Sequence, residues 1–202
     1  MPIKPFIIAT LLILGGCTTT TEHTSFLVLE TPQTFPESGI QPHPDLSIGL
    51  GPIRLPDMLD RPQVVTRLDS NRVKLADFHH WAGGLENNIY RVLQENLMML
   101  LDTDRVTPYP WPRYRKLHYQ VGLDVLRFDG TPGQRVRLSG LWNLLDGEGR
   151  KEYLVERFDI VEETETATYA ALAAAQSRAL GQLAQRIAAG IENHLSINPA
   201  TK

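Results

Sequence analysis

The stretch that decides the fold runs from Ala167 to Leu195 and reads ATYAALAAAQSRALGQLAQRIAAGIENHL. It is rich in alanine and leucine, which have high helix propensity, and its large apolar residues recur at helical spacing. The spacing predicts a long helix whose core-facing stripe consists of Leu172, Leu180, Leu183, Ile187, Ile191 and Leu195. Alanines leave much of the remaining helix surface small, so the helix can pack closely against a sheet or a second subunit.

Three strand-like runs precede this helix, at Tyr119–Phe128, Val136–Leu144 and Tyr153–Ile160. Alternation of apolar and other residues, clearest in the first run, is the period of a strand with one buried face. Asp129-Gly130 and Asp146-Gly147 are turn signals that would join the runs as hairpins. The sequence therefore predicts a three-stranded antiparallel meander.

The chain before the meander adds shorter strands and another helix. Apolar and β-branched runs predict strands at Phe26–Leu29, Leu46–Leu55, Gln63–Leu68, Arg72–Ala76 and Asp104–Thr107. Apolar residues at helical spacing predict an amphipathic helix from about Trp81 to Leu101, although Gly83-Gly84 also allows a start at Leu85. We predict an α+β fold: a mostly antiparallel β-sheet with two long α-helices packed on one face.

The N-terminal residues have the layout of a targeting signal. One lysine and a short apolar run lead to Leu14-Gly15-Gly16-Cys17, which contains the only cysteine of the chain. The run is too short to span a bilayer and is typical of a secretory signal peptide. Leu-Gly-Gly-Cys resembles the lipobox of bacterial lipoproteins, in which the cysteine is lipidated after cleavage; the alternative is an ordinary signal peptide with a chance cysteine. We expect a signal peptide over residues 1–16, a flexible tether over 17–24 and one domain over 25–197.

The residue after the cysteine indicates which membrane the lipoprotein is sorted to. In the sorting pattern of such lipoproteins, an aspartate at this position favours retention at the inner membrane. Thr18 stands there instead. We therefore expect Cys17 to anchor the protein at the periplasmic face of the outer membrane.

The composition and motifs argue against several functions. The net charge of −3 does not suit nucleic-acid binding. His79 and His80 are adjacent, so they cannot form the i, i+4 pair with which a helix binds a metal, and we expect them in a solvated loop. The sequence also contains no glycine motif of a nucleotide-binding site. An enzyme would need a serine, a histidine and a carboxylate to converge, for instance around His118 and Ser139. We expect no catalytic residue, metal or cofactor.

Two features are candidates for interaction with a partner. Tyr109 and Trp111 stand between prolines, where they suit a partner surface or a membrane interface, unless Trp111 folds back onto the sheet. Asp60-Arg61-Pro62 forms a turn ahead of a strand. That turn is either a contact site or a structural corner in which Asp60 bonds the local backbone.

Three motifs in order resemble one protein family. The segments Leu59–Val65 (LDRPQVV), Trp81–Leu97 and Ala175–Ala188 resemble signature blocks of the ABC-type transport auxiliary lipoproteins. His80 and Gly83-Gly84 depart from the usual pattern, in which arginine and Glu-Pro stand at these positions.

The resemblance implies a non-enzymatic role at the outer membrane. Lipoproteins of this family work with MCE-domain proteins, which are thought to carry lipids between membranes, and the lipoprotein would dock the distal end of that conduit. It also implies homo-oligomerisation. The candidate contact residues are then Asp60, Arg61, Pro62, Trp81, Tyr109 and Trp111. The alternative is a periplasmic lipoprotein that itself binds a lipid or a cell-wall ligand.

Overall fold

The computed structural model describes residues 23–35 and 39–197, so the predicted signal peptide and most of the tether lie outside the described residues. The elements in chain order are β1 (Ser25–Leu27), β2 (Ile48–Arg54), β3 (Gln63–Arg67), β4 (Val73–Trp81), α1 (Leu85–Leu101), β5 (Val106–Pro108), β6 (Tyr119–Thr131), β7 (Arg135–Asp146), β8 (Glu152–Glu163) and α2 (Tyr169–Ile197). Within the described ranges, no helix is both long and apolar enough to cross a membrane.

The predicted meander is confirmed, since β6, β7 and β8 form two long antiparallel ladders. The first turn, however, lies at residues 132–134, and Asp129-Gly130 belongs to β6. A Cβ atom at position 130 would lie 2.5 Å from the carbonyl oxygen of Arg135, so Gly130 serves close strand approach rather than a turn. The turn itself uses Gly133, whose φ is 76°.

The other edge of β6 makes the sheet mixed. β2 runs parallel to the first half of β6, with Ile48 opposite Tyr119, and β3 runs parallel to its end, with Thr66 opposite Gly130. β5 pairs parallel with β2, β4 pairs antiparallel with β3, and β1 pairs parallel with β4. The α+β class is confirmed and the longest ladders are antiparallel, but the sequence did not predict these parallel pairings.

The strand before α1 is longer than predicted. β4 extends to Trp81, so His79 and His80 lie in a strand and not in a solvated loop. His80 stands opposite Phe26 of β1, and the imidazole of His79 stacks on the ring of Tyr169 with 4.0 Å between centroids. Pairing with β1 and packing against α2 therefore hold this region extended.

The helix α1 begins at Leu85, the later of the two predicted starts. Gly83 and Gly84 have φ values of 73° and 84°, which do not continue into a right-handed helix. The side-chain amide of Asn88 donates to the carbonyl oxygens of Ala82 and Gly84, both at 2.7 Å. This buried asparagine therefore satisfies carbonyl groups at the turn that leads into α1.

The core lies between the sheet and the two helices. α1 packs against α2, β2 and β5, and α2 packs against the meander strands. All six residues of the predicted α2 stripe are buried, as expected: Leu172, Leu180, Leu183, Ile187, Ile191 and Leu195. The hydroxyl of Thr168 caps the helix by accepting the backbone N–H of Ala171 at 3.2 Å.

Candidate interaction surfaces

The connector between β2 and β3 forms an exposed corner on a fixed backbone. Leu59 is 2 % exposed and anchors it in the core. The N–H of Leu59 donates to the carbonyl oxygen of Pro56 at 2.8 Å, and the N–H of Arg61 donates to that of Leu59 at 2.9 Å. The N–H of Trp81 donates to the carbonyl oxygen of Pro62 at 2.7 Å. Residues 59–62, which we call the Asp60 corner, are therefore held at both ends.

The carboxylate of Asp60 is available to a partner. Asp60 is exposed, and its carboxylate accepts no hydrogen bond and forms no ion pair among the described residues. The structure therefore gives no support to the alternative in which Asp60 bonds the local backbone. Arg61 is half-buried, and its Nε is buried without a hydrogen-bond partner in the described part of the chain. Pro62 is exposed and limits the flexibility of the corner.

Trp81 does not belong to a partner surface. Its side chain is 4 % exposed and joins the hydrophobic core. The prediction that Trp81 contacts a partner was therefore wrong, because its position at the end of β4 turns the ring inward. Its backbone N–H supports the Asp60 corner from within.

The loop between β5 and β6, residues 109–118, divides its aromatic residues between two roles. Trp111 is half-buried and folds back over β2, where a Cβ atom at Gly49 would lie 2.9 Å from its ring. Tyr109 is 51 % exposed and meets the Trp111 ring edge to face, with centroids 5.3 Å apart. The alternative in which Trp111 folds back onto the sheet is confirmed, whereas the side chain of Tyr109 remains exposed to solvent.

The same loop carries a cationic tip that the sequence analysis missed. Arg113, Arg115 and Lys116 are exposed, and Tyr114 between them is 82 % exposed. The missed signal was charge distribution, because the chain has no acidic residue from Arg105 to Leu123. This tip could meet an anionic surface.

His118 and Ser139, one place where a serine and a histidine could have converged, lie far apart. Ser139 stands opposite Arg127 in the meander, more than about 20 Å along β6 from His118 at about 3.3 Å per residue. The Nδ1 atom of His118 accepts the backbone N–H of Ser47 at 3.0 Å. The same Nδ1 atom lies 2.9 Å from the hydroxyl oxygen of Ser47, and no described carboxylate hydrogen-bonds His118.

Two further site predictions concern a metal ion and the lipid anchor. In the described ranges, no group of three or more His, Cys, Asp and Glu side chains is placed to hold a metal ion. Cys17 lies outside the described residues, so its lipidation stays a prediction. The described chain begins at His23, two residues before β1.

Comparison with solved structures supports the fold. One crystal structure, of an uncharacterized protein, has a TM-score of 0.63 and 18 % identity, covering 86 % of this chain and 99 % of its own. A Xanthomonas campestris protein of the DUF330 family has a TM-score of 0.67 and 15 % identity, covering 89 % and 98 %. The comparison with curated proteins found no match.

A family model extends the comparison to most of the chain. The model of the ABC-type transport auxiliary lipoprotein component matches residues 28–188. The match includes the Asp60 corner, both helices apart from the last turns of α2, and the whole meander. This protein is therefore a member of the ABC-type transport auxiliary lipoprotein family.

Proposed function

We propose that this protein is a lipid-anchored periplasmic subunit that docks an MCE-type intermembrane lipid-transport system at the outer membrane. Family membership supports a role as a transport auxiliary component. The lipobox at Cys17 and the threonine that follows it support attachment to the outer membrane. Docking in this place would contribute to outer-membrane integrity.

The observation that carries the proposal is the Asp60 corner. An unpaired exposed carboxylate lies beside a guanidinium whose Nε is buried and unbonded among the described residues. The exposed carboxylate can accept hydrogen bonds from a partner, or pair with a cationic side chain, without first breaking a contact inside this chain. Because the backbone of the corner is already fixed, binding would require little ordering of the chain.

We also propose that several copies assemble into a homo-oligomer around the end of the conduit. A closed assembly would present the corner once per copy, so weak single contacts would combine into a stable attachment. Mass measurement of the lipidated protein in detergent tests this part separately. A strictly monomeric mass would contradict the homo-oligomer but would remain compatible with docking by a single copy.

Site-specific crosslinking tests the docking contact in native membranes. A photoreactive amino acid replaces Asp60 in one variant and Glu165, an exposed acidic residue in the β8–α2 loop, in the control. We expect an adduct with an MCE-domain protein from position 60 and none from position 165. Absence of that protein from the adducts of position 60, in membranes that contain it, would argue against docking at this corner.

A further inference from the structure

A pocket of about 420 Å³ opens where β3, β6 and β7 meet near the first turn of the meander. Its wall carries four arginines: Arg67, Arg127, Arg135 and Arg137. None of these residues belongs to the Asp60 corner or to the loop at residues 109–118. We call this feature the arginine pocket.

A buried carboxylate fixes two of the arginines. Asp129 is 1 % exposed and accepts a hydrogen bond from Nη2 of Arg67 at 2.6 Å and from Nε of Arg127 at 2.7 Å. Nη1 of Arg67 also donates to the carbonyl oxygen of Ser70 at 3.2 Å. Two guanidinium groups are thus held in place before any ligand arrives, which lowers the entropy cost of binding.

Several donors of the pocket are left without a protein partner. Nε of Arg127 bonds Asp129, but its two terminal amino groups bond no described residue. Arg137 bonds Asp159 through Nε and Nη2 and leaves Nη1 unbonded among the described residues. Arg135 is exposed and forms no hydrogen bond or ion pair with any residue in the described ranges.

The charges of the pocket do not cancel. Asp129 and Asp159 offset two of the four arginines, and Asp69 at the rim pairs with Arg72. Glu163 stands opposite Arg135 in the ladder but forms no ion pair with it, and counting it still leaves a positive surplus. A concave site with unpaired guanidinium donors is suited to an anion with several oxygen acceptors.

We infer that the arginine pocket binds a phosphate group. Arginine forks match the geometry of phosphate oxygens, which accept two parallel hydrogen bonds. Leu68, which is 55 % exposed, and Val161, which is 48 % exposed, also line the pocket and favour a phosphate that carries an apolar chain. The ligand class is therefore a phosphate ester, with a phospholipid headgroup favoured over free phosphate. This inference does not rest on the docking role, because the two surfaces share no residue.

Calorimetry on the full mature lipidated protein in dodecyl maltoside micelles, which contain no phosphate, tests the inference. The probes are inorganic phosphate and dihexanoyl phosphatidylglycerol. Arg135→Gln is the test variant, since this side chain has no described partner whose loss would disturb the fold. The matched control is Arg186→Gln, an exposed arginine of α2 outside the pocket, which changes the net charge equally.

We expect saturable binding that Arg135→Gln weakens about tenfold and Arg186→Gln changes by less than about twofold. Tighter binding of the lipid than of phosphate assigns the site to a headgroup. If the two probes bind with equal affinity and Arg135→Gln weakens both equally, the site is supported and its ligand is free phosphate. Absence of saturable binding by both probes, or equal effects of the two variants, would overturn the inference.

Discussion

The carboxylate of Asp129 and the guanidinium of Arg67 form a buried ion pair that joins β3 to the end of β6. Nη2 of Arg67 lies 2.6 Å from Oδ2 of Asp129, and the side chains are 20 % and 2 % exposed. The backbone pairing between these strands is short, with Thr66 opposite Gly130. The ion pair therefore secures a junction that the backbone ladder alone holds weakly.

Removal of the Asp129 charge should destabilise the protein strongly. Asp129→Asn leaves Arg67 without its anion, and breaking a buried pair costs about 3 kcal/mol of the free energy of unfolding. Urea denaturation measures this loss. Asp159→Asn is the control, because its pair with Arg137 is more exposed and should cost much less. Equal losses in the two variants would contradict the structural role of Asp129.

Two glycines of α2 should respond to alanine in opposite directions. A Cβ atom at Gly190 would lie 2.6 Å from the buried ring of Trp142, which has no room to move. Gly190→Ala should therefore lower the free energy of unfolding by about 1 kcal/mol, since overpacking outweighs the gain in helix propensity. At Gly181 the nearest atom is 3.6 Å away, so Gly181→Ala should raise it by about 0.5–1 kcal/mol. Thermal unfolding of both variants checks the pair, and a stabilising Gly190→Ala would show that the helix is packed less closely.

The two aromatic roles in the loop at residues 109–118 can be separated by mutation. Trp111→Ala removes the ring that covers Gly49 and should cost about 1–2 kcal/mol of unfolding free energy, less than a fully buried tryptophan. Tyr114→Ala should leave stability unchanged, because its ring is 82 % exposed. Hydrogen exchange across the loop should rise only in the Trp111 variant. Unchanged exchange there would mean that the ring does not hold the loop.

The free energy of unfolding should depend on pH through His194. Burial lowers the pKa of His194, and the nearby Lys151 lowers it further, while the rings of Tyr119 and Tyr153 pack beside it. The folded state thus binds this proton less readily than the unfolded chain, whose histidine pKa is about 6.5. Stability is therefore full above about pH 6.5 and falls as the pH drops toward the pKa of the folded state.

Denaturation at about pH 7.5 and about pH 5.5 measures that loss. His194→Gln should flatten the difference between the two pH values. His23→Gln, at an exposed position, should leave the difference between the two pH values the same as in the wild-type protein. A His194 variant that keeps the full difference would assign the pH dependence to other groups.

The sequence predicted the parts of the fold that depend on neighbours in the chain. The α2 stripe from Leu172 to Leu195 and the meander follow from local periodicity, and the glycine pair marked the start of α1 at Leu85. The parallel pairings of β2 and β3 with β6 join segments more than 60 residues apart, for which no local pattern exists. The turn predicted at Asp129-Gly130 was misplaced for a similar reason. Local sequence does not show that Gly130 packs closely against the neighbouring strand.

The sequence predicted where the Asp60 corner lies in the chain, but not which neighbouring side chains are exposed. The Asp60 motif stood out by its residues, but the inward ring of Trp81 depends on how far β4 extends beside β1. The arginine pocket gathers residues from three strands around Asp129, and a sequence without contacts does not reveal that convergence. Tyr114 and its cationic neighbours could have been noticed from charge distribution alone.

The affinity of the purified lipidated protein for an MCE-domain protein of the same organism tests the docking role most directly. Asp60→Arg reverses the exposed charge of the corner without touching the core, and Glu165→Arg makes the same change elsewhere. We expect measurable binding that Asp60→Arg weakens about tenfold or more and that Glu165→Arg changes by less than about twofold. Undiminished binding by the Asp60 variant, or no binding by the unchanged protein, would contradict docking through this corner.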